Sequence, residues 1–416
     1  MKKHKILAGF LALGLSASLF FQVPAFAEEA SDTTSDTAQA IATNSISGWP
    51  QASDISSEAA VVMEDSTNTI LYSKNADEVL YPGSTVKIMT CLLALENCQL
   101  TDEVTMTATG VSGVTDGGAS IASQVDEVFT IEQCLYAIMV ASANDIALQI
   151  AEHTGGSVEA FVQMMNDRAT ALGCTNTVFT NPTGLPDENQ HTTAHDMALI
   201  MQAAIQNDAF RTIAAATSYT IPATNKAAAR NLTSKFTMTD TGNSGFYEGC
   251  IGGKEGYTEA SGSTLVCAAQ RNGMTLISVV LKGASGQTAP DAASILNYGF
   301  DQFQIASLGD SDFSIISGGE VVLPVGASTD SLTTQDFQNG NEIQRTYLFG
   351  GTPVGSATLE VVEAQDDTDI QNGEQNMQAA RTYSENHTYI PYFIIAAGLL
   401  LVLILLLWRM IKIIKS

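Results

Sequence analysis

The stretch Tyr81-Pro-Gly-Ser-Thr-Val-Lys-Ile-Met-Thr90 decides how this chain is read. Pro82 and Gly83 are turn residues. Behind them Ile88, Leu92, Leu93 and Leu95 form an apolar face at helical spacing, which predicts a helix from Ser84 to about Leu95. Ser84 and Lys87, three residues apart, then share one helix face. A lysine amine so placed can take the proton of the serine hydroxyl and make a nucleophile without histidine. Chance supplies about one or two such pairs in a chain of this length, so the remaining sequence must distinguish a catalytic pair from an accidental one.

Both ends read as targeting segments. Lys2, Lys3 and Lys5 precede an apolar run from Ile6 to Phe21, and Ala25-Phe-Ala27 fits a signal-peptidase site, so residues 1–27 are expected to be a cleaved signal peptide. Ile390 to Trp408 carries no charge and is long enough to span a hydrocarbon core. Residues 389–408 are therefore expected to form a transmembrane helix, with the basic tail 409–416 in the cytoplasm. Everything between would face the outside of the cell as a single-pass membrane protein.

That outer part is strongly acidic. Three basic residues fall in the signal segment and three in the tail, which leaves twelve against all 44 Asp and Glu, a net charge of −32. Such a surface disfavours nucleic acid and other polyanions as partners. Only six lysines lie between the two membrane segments, at 74, 87, 226, 235, 254 and 282. The six cysteines and five histidines show no metal-ligand spacing, and no cofactor motif is present. The cysteines read mostly as small buried hydrophobes, with Cys250 and Cys267 left open as a disulfide pair.

Residues 28–48 are rich in Ser, Thr, Ala and Asp and read as a flexible leader. Strands are expected at 59–63 and 69–72, and helices at 131–139, 144–153, 158–172 and 194–216. A strand pair at 264–270 and 275–281 precedes a helix at 289–303. This order gives an α+β domain over residues 49–305, an antiparallel sheet with packed helices. Short alternating runs suggest a small all-β domain at 306–364, followed by a polar stalk at 365–388.

Two further constellations carry chemistry. Ser142-Ala-Asn144 sits between two predicted helices, where a loop can present a hydroxyl and an amide to a cleft, although Ser and Asn are also ordinary helix caps. Gly252-Gly-Lys-Glu-Gly-Tyr-Thr258 offers close backbone approach, a cation at Lys254 and a hydroxyl at Thr258, or else is a glycine-rich turn. Asn181-Pro-Thr-Gly-Leu185 and the segment from Thr192 to Asp196 read as a turn-rich loop feeding a capped helix, with no evident catalytic role.

Taken together and in this order, these motifs resemble those of the D-alanyl-D-alanine carboxypeptidases, the low-molecular-mass penicillin-binding proteins of serine peptidase family S11. The resemblance covers about residues 49–303 and implies a β-lactamase/transpeptidase-like fold. It implies that Ser84 attacks the carbonyl between two terminal D-alanines of a peptidoglycan stem peptide, with Lys87 as general base. Ser142 would relay a proton to the leaving D-alanine, Asn144 would orient substrate and lysine, and Lys254 would bind the terminal carboxylate. Gly256, Tyr257 and Thr258 would line the substrate strand, and the amides of Ser84 and Tyr257 would form an oxyanion hole. β-Lactams would acylate the same serine. An ordinary lysine has a pKa of about 10.4, so Lys87 must be depressed by burial or by a cation, for which Lys254 is the candidate.

One position departs from the family pattern. The third motif is usually Lys-Thr-Gly, and here it is Lys254-Glu-Gly256. Glu255 puts a negative charge where a carboxylate should dock, which motivates an alternative reading as a peptidoglycan-binding pseudoenzyme with weak or no turnover. The resemblance does not place the carboxylate-binding arginine of some relatives; Arg230 is a candidate. A β-lactamase reading lacks a counterpart for the deacylating glutamate of class A enzymes.

Overall fold

A computed structural model of the chain describes residues 41–114, 118–308 and 314–360. The expected signal peptide, stalk and transmembrane helix lie outside the described residues, and no described helix is long and apolar enough to cross a membrane.

The elements run β1 (Ala59–Glu64), β2 (Ile70–Lys74), a 3₁₀ turn (Gly83–Val86), α1 (Lys87–Asn97), β3 (Glu103–Thr105), α2 (Ala108–Ser112) and β4 (Val128–Thr130). Helices α3 (Ile131–Val140), α4 (Asn144–Gly155), α5 (Val158–Ala171), α6 (Ala194–Ile205) and α7 (Asp208–Ala214) follow. Next come β5 (Ser218–Ile221), β6 (Arg230–Thr233), β7 (Cys250–Thr258), β8 (Gly262–Arg271), β9 (Met274–Gly283) and α8 (Thr288–Gln302). The last strands are β10 (Phe303–Ser307), β11 (Ser314–Pro324), β12 (Thr333–Asn339), β13 (Glu342–Phe349) and β14 (Thr352–Glu360).

A five-stranded antiparallel sheet in the order β2-β1-β9-β8-β7 organises the chain. Its central strands are apolar at nearly every position because both faces are covered. Strand alternation then deals residues to two cores. Ala59, Val61 and Met63 of β1 pack against the helices, and Ala60 and Val62 pack on the opposite side with α8 and the second sheet. Helix α1 is buried from Lys87 through Ala94, so its apolar side chains meet protein in every direction. Lys87 is the one ionisable amine in that run.

The second sheet, ordered β10-β11-β14-β13-β12, shares the core behind the first. Trp49 joins the two: its indole donates to the Leu71 carbonyl at 3.0 Å, and its ring lies 4.9 Å from that of Phe303. Part of the expected leader is ordered here. Ile41 is buried in this core and Ala42–Ser45 form a 3₁₀ turn.

Several expectations are corrected. The single helix expected over 194–216 is two, because the Asn207 side chain accepts the amides of Ala209 and Phe210 and starts α7 anew. The helix expected from Ser84 opens instead with a tighter 3₁₀ turn that carries the serine. Residues 250–258 form a strand, not a glycine-rich turn, paired to β8 along their length. Cys250 and Cys267 are free thiols.

Arg230 makes two bonds to the fully buried carboxylate of Glu127, at 2.7 and 2.9 Å. Burial opposes ionisation of Glu127, but hydrogen bonds from Arg230, Thr224 and the Gln124 amide outweigh it and hold the carboxyl below its usual range. Truncating Arg230 to alanine strands that carboxylate. A loss of about 3–5 kcal/mol in urea unfolding is expected, and a loss below about 1 kcal/mol contradicts the pairing.

Candidate active site

The 3₁₀ turn, the start of α4, the loop 181–185 and strand β7 converge on one cleft of about 320 Å³. Ser84, Ser142, Asn144, Lys254, Gly256, Tyr257 and Thr258 all line it, and Lys87 lies beneath with no exposed surface. Lys87 Nζ donates to Asn144 Oδ1 at 2.7 Å and to the carbonyl of Thr183, and stands 3.3 Å from Ser84 Oγ.

Each neighbour is fixed by local structure. Asn144 is the first residue of α4, not its cap, and its amide donates to the Ala119 carbonyl at 2.7 Å. The next residue, Asp145, is buried and accepts from Ser120 Oγ and from the amide and hydroxyl of Ser123. These bonds tie the segment at the cleft wall to the start of α4. Ser142 holds φ +56°, a left-handed conformation that costs energy in a non-glycine residue and is common at functional sites. Its hydroxyl makes no hydrogen bond among the described residues.

Two glycines permit the close approach of backbones. A Cβ on Gly184 would come within 1.9 Å of the Gly83 carbonyl oxygen, and one on Gly256 within 2.6 Å of the Ser84 amide nitrogen. The loop and the sheet edge therefore both press against the turn that carries Ser84. Thr264 Oγ1, donating to the Pro82 carbonyl at 3.0 Å, ties that turn to β8.

Burial, reinforced by the positive charge of Lys254, holds the Lys87 amine well below the usual lysine range. Burial likewise brings Lys254 down to about 8, and the charge of Glu255 works against that fall. Lys254 Nζ donates to the Glu255 carbonyl at 2.7 Å rather than to its carboxylate. Glu255 lines the cleft, and its carboxylate makes no ion pair among the described residues. Arg230, the candidate for the substrate carboxylate, is committed to Glu127 and does not line the cleft.

Nothing in the sequence of the loop 181–185 marks a catalytic role, yet Thr183 supplies an acceptor to Lys87, and Gly184 and Leu185 line the cleft. A backbone carbonyl leaves no trace in residue type. The glycine of Pro182-Thr-Gly184 was the available signal. Lys235 also lines the cleft, and no motif marks it in the sequence. No group of three or more His, Cys, Asp or Glu among the described residues is placed to hold a metal ion.

Residues 46–285 match the family model for the S11 peptidases, described as D-alanyl-D-alanine carboxypeptidase. The carboxypeptidase DacF of Bacillus subtilis is 34% identical over 265 residues, covering 61% of this chain and 65% of that protein. A D-alanyl-D-alanine carboxypeptidase of Streptomyces strain K15 is 33% identical over 256 residues, covering 59% and 88%. The crystal structure of the Streptomyces K15 DD-transpeptidase superposes with a TM-score of 0.57 at 30% identity, over 61% of this chain and all of that one. The carboxypeptidase DacD of Francisella tularensis shares the fold at 22% identity, with a TM-score of 0.60 over 75% of this chain and 94% of that one. With its transpeptidase-like α+β fold and its family match over more than half its length, the chain belongs to the D-alanyl-D-alanine carboxypeptidase family of serine peptidases.

Proposed function

We propose that Ser84 removes the terminal D-alanine from peptidoglycan stem peptides through an acyl-enzyme, and that β-lactams acylate the same hydroxyl. The carrying observation is the setting of Lys87. A neutral amine has two N–H bonds and one lone pair. Asn144 Oδ1 and the Thr183 carbonyl take the two N–H bonds, which turns the lone pair toward Ser84 Oγ at 3.3 Å. Burial and the nearby charge of Lys254 lower the amine's hold on its proton, which favours the neutral form that can accept the serine proton.

Ser84 Oγ attacks the carbonyl as its proton passes to Lys87. The Ser84 and Tyr257 amides stabilise the oxyanion. Ser142 relays a proton to the departing amine, the peptide bond breaks and D-alanine leaves. Water then cleaves the Ser84 ester, and the serine regains its proton. Strand β7 is at the sheet edge beside Ser84, which suits an extended peptide laid along it. The pseudoenzyme reading gains no support from Glu255, which neither pairs with Lys254 nor disturbs the Ser84–Lys87 geometry. We also propose export, with residues 389–408 as membrane anchor and the catalytic part facing the wall. The support is the pattern of apolar and basic residues at the two ends.

The test is D-alanine release from diacetyl-L-Lys-D-Ala-D-Ala by the full chain in detergent. Wild type should release D-alanine and take up one fluorescent penicillin. Ser84→Ala should lose both by at least about a thousandfold. Penicillin labelling that survives Ser84→Ala overturns the nucleophile.

The pH profile of kcat/KM should fall on the alkaline side near pH 8, as Lys254 loses the positive charge that draws an anionic peptide into the cleft without contacting its carboxylate directly. Glu255 favours the protonated form of Lys254, so Glu255→Gln should move that limb to lower pH. Lys254 disfavours the protonated form of Lys87, so Lys254→Ala should raise the Lys87 pKa and move the acid limb to higher pH. An alkaline limb that stays fixed or rises in Glu255→Gln contradicts the assignment.

A further inference from the structure

A substrate ending in a carboxylate needs a cation at the mouth of the cleft, and the expected groups are poorly placed to be that cation. Arg230 is spent on Glu127. Lys254 is buried, directed onto a backbone carbonyl, and bordered by Glu255 in place of a hydroxyl. We infer that Lys235 receives the C-terminal carboxylate of the peptide, an assignment that rests on the D-alanyl-D-alanine reading above.

Lys235 lines the same cleft as Ser84, is exposed, and its side chain makes no hydrogen bond or ion pair among the described residues. Every other lysine and arginine among the described residues is committed. Each is ion-paired to a carboxylate, buried beside Ser84 or, for Arg271, bonded to the Glu248 carbonyl. In a chain with so few cations, one left open at the cleft is the natural anchor for an anionic ligand.

The backbone that carries it is held on both sides. The Ser234 amide donates to the Thr217 carbonyl at 2.8 Å, and Ser234 Oγ accepts the Phe236 amide at 3.1 Å. Phe236 is buried against Gly253, where a Cβ would meet its ring at 2.6 Å. The backbone at Lys235 is thereby held beside β7, and its charge reaches the Lys254 amine and helps to depress it. Glu255 borders the cleft without pairing to Lys235, so the lysine charge stays available. The flexible stem lets the ammonium follow a carboxylate by simple charge attraction.

Binding separates this role from turnover. In full-length Ser84→Ala, NMR titration should give diacetyl-L-Lys-D-Ala-D-Ala a Kd at least about tenfold lower than the same peptide with a C-terminal amide. Adding Lys235→Ala should erase most of that preference by weakening the acid while moving the amide less than twofold, and Lys235→Arg should retain it. In the active enzyme, Lys235→Ala should raise KM for the acid with little change in kcat. Equal acid and amide affinities in the Ser84→Ala protein, or a preference that survives Lys235→Ala, overturn the assignment. Preserved acid preference without any D-alanine release from wild type would instead sink the proposed reaction and leave Lys235 as the anchor.

Discussion

The structure turns on one buried amine. Lys87 opens a helix that is enclosed for two turns, where a bare ammonium would be costly. The protein meets that cost by giving the amine two acceptors and by holding its pKa well below the usual lysine range. Its acceptors come from residues 57 and 96 positions away, at the start of α4 and in the loop 181–185. Fixing them in turn requires the Asp145 network, the absence of a side chain at Gly184, and a sheet edge that passes Ser84 at Gly256. Three distant segments are thus locked around a single nitrogen.

The central sheet makes this possible by being covered on both faces. Strand β1 sends alternate residues to two cores, so it cannot slip by one position without exchanging every contact. The second sheet extends one of these cores through Trp49 and Phe303. That core backs the face of the sheet opposite the helices that carry Lys87 and Asn144.

Periodicity exposed most of this in the sequence. The strands at 59–63 and 275–281 and the helices at 131–139 and 158–172 are visible because each has a persistent apolar pattern. Ser84, Lys87, Ser142, Asn144 and Lys254 stand out in the sequence because motifs are written in side chains, and the structure gathers all five at one cleft. Other features are hidden for physical reasons. Strand β7 contains three glycines between 252 and 256, which look like a turn but are demanded by Phe236, Ala214 and Ser84 packed against the backbone. Asn207 breaks a helix that hydrophobic spacing alone would continue. Thr183 acts through a carbonyl that any residue would provide. Lys235 has no motif, and its importance appears only when the partners of the other cations are known.

The proposed chemistry requires Lys87 to be neutral at working pH, buried between two acceptors and beside a cation. Carbon-13 NMR of the lysine ε-carbons, assigned by Lys87→Arg and Lys254→Arg, reads this directly. Lys87 should show the unprotonated shift at pH 7 while Lys254 titrates near 8. A Lys87 that stays protonated through pH 9 would contradict it.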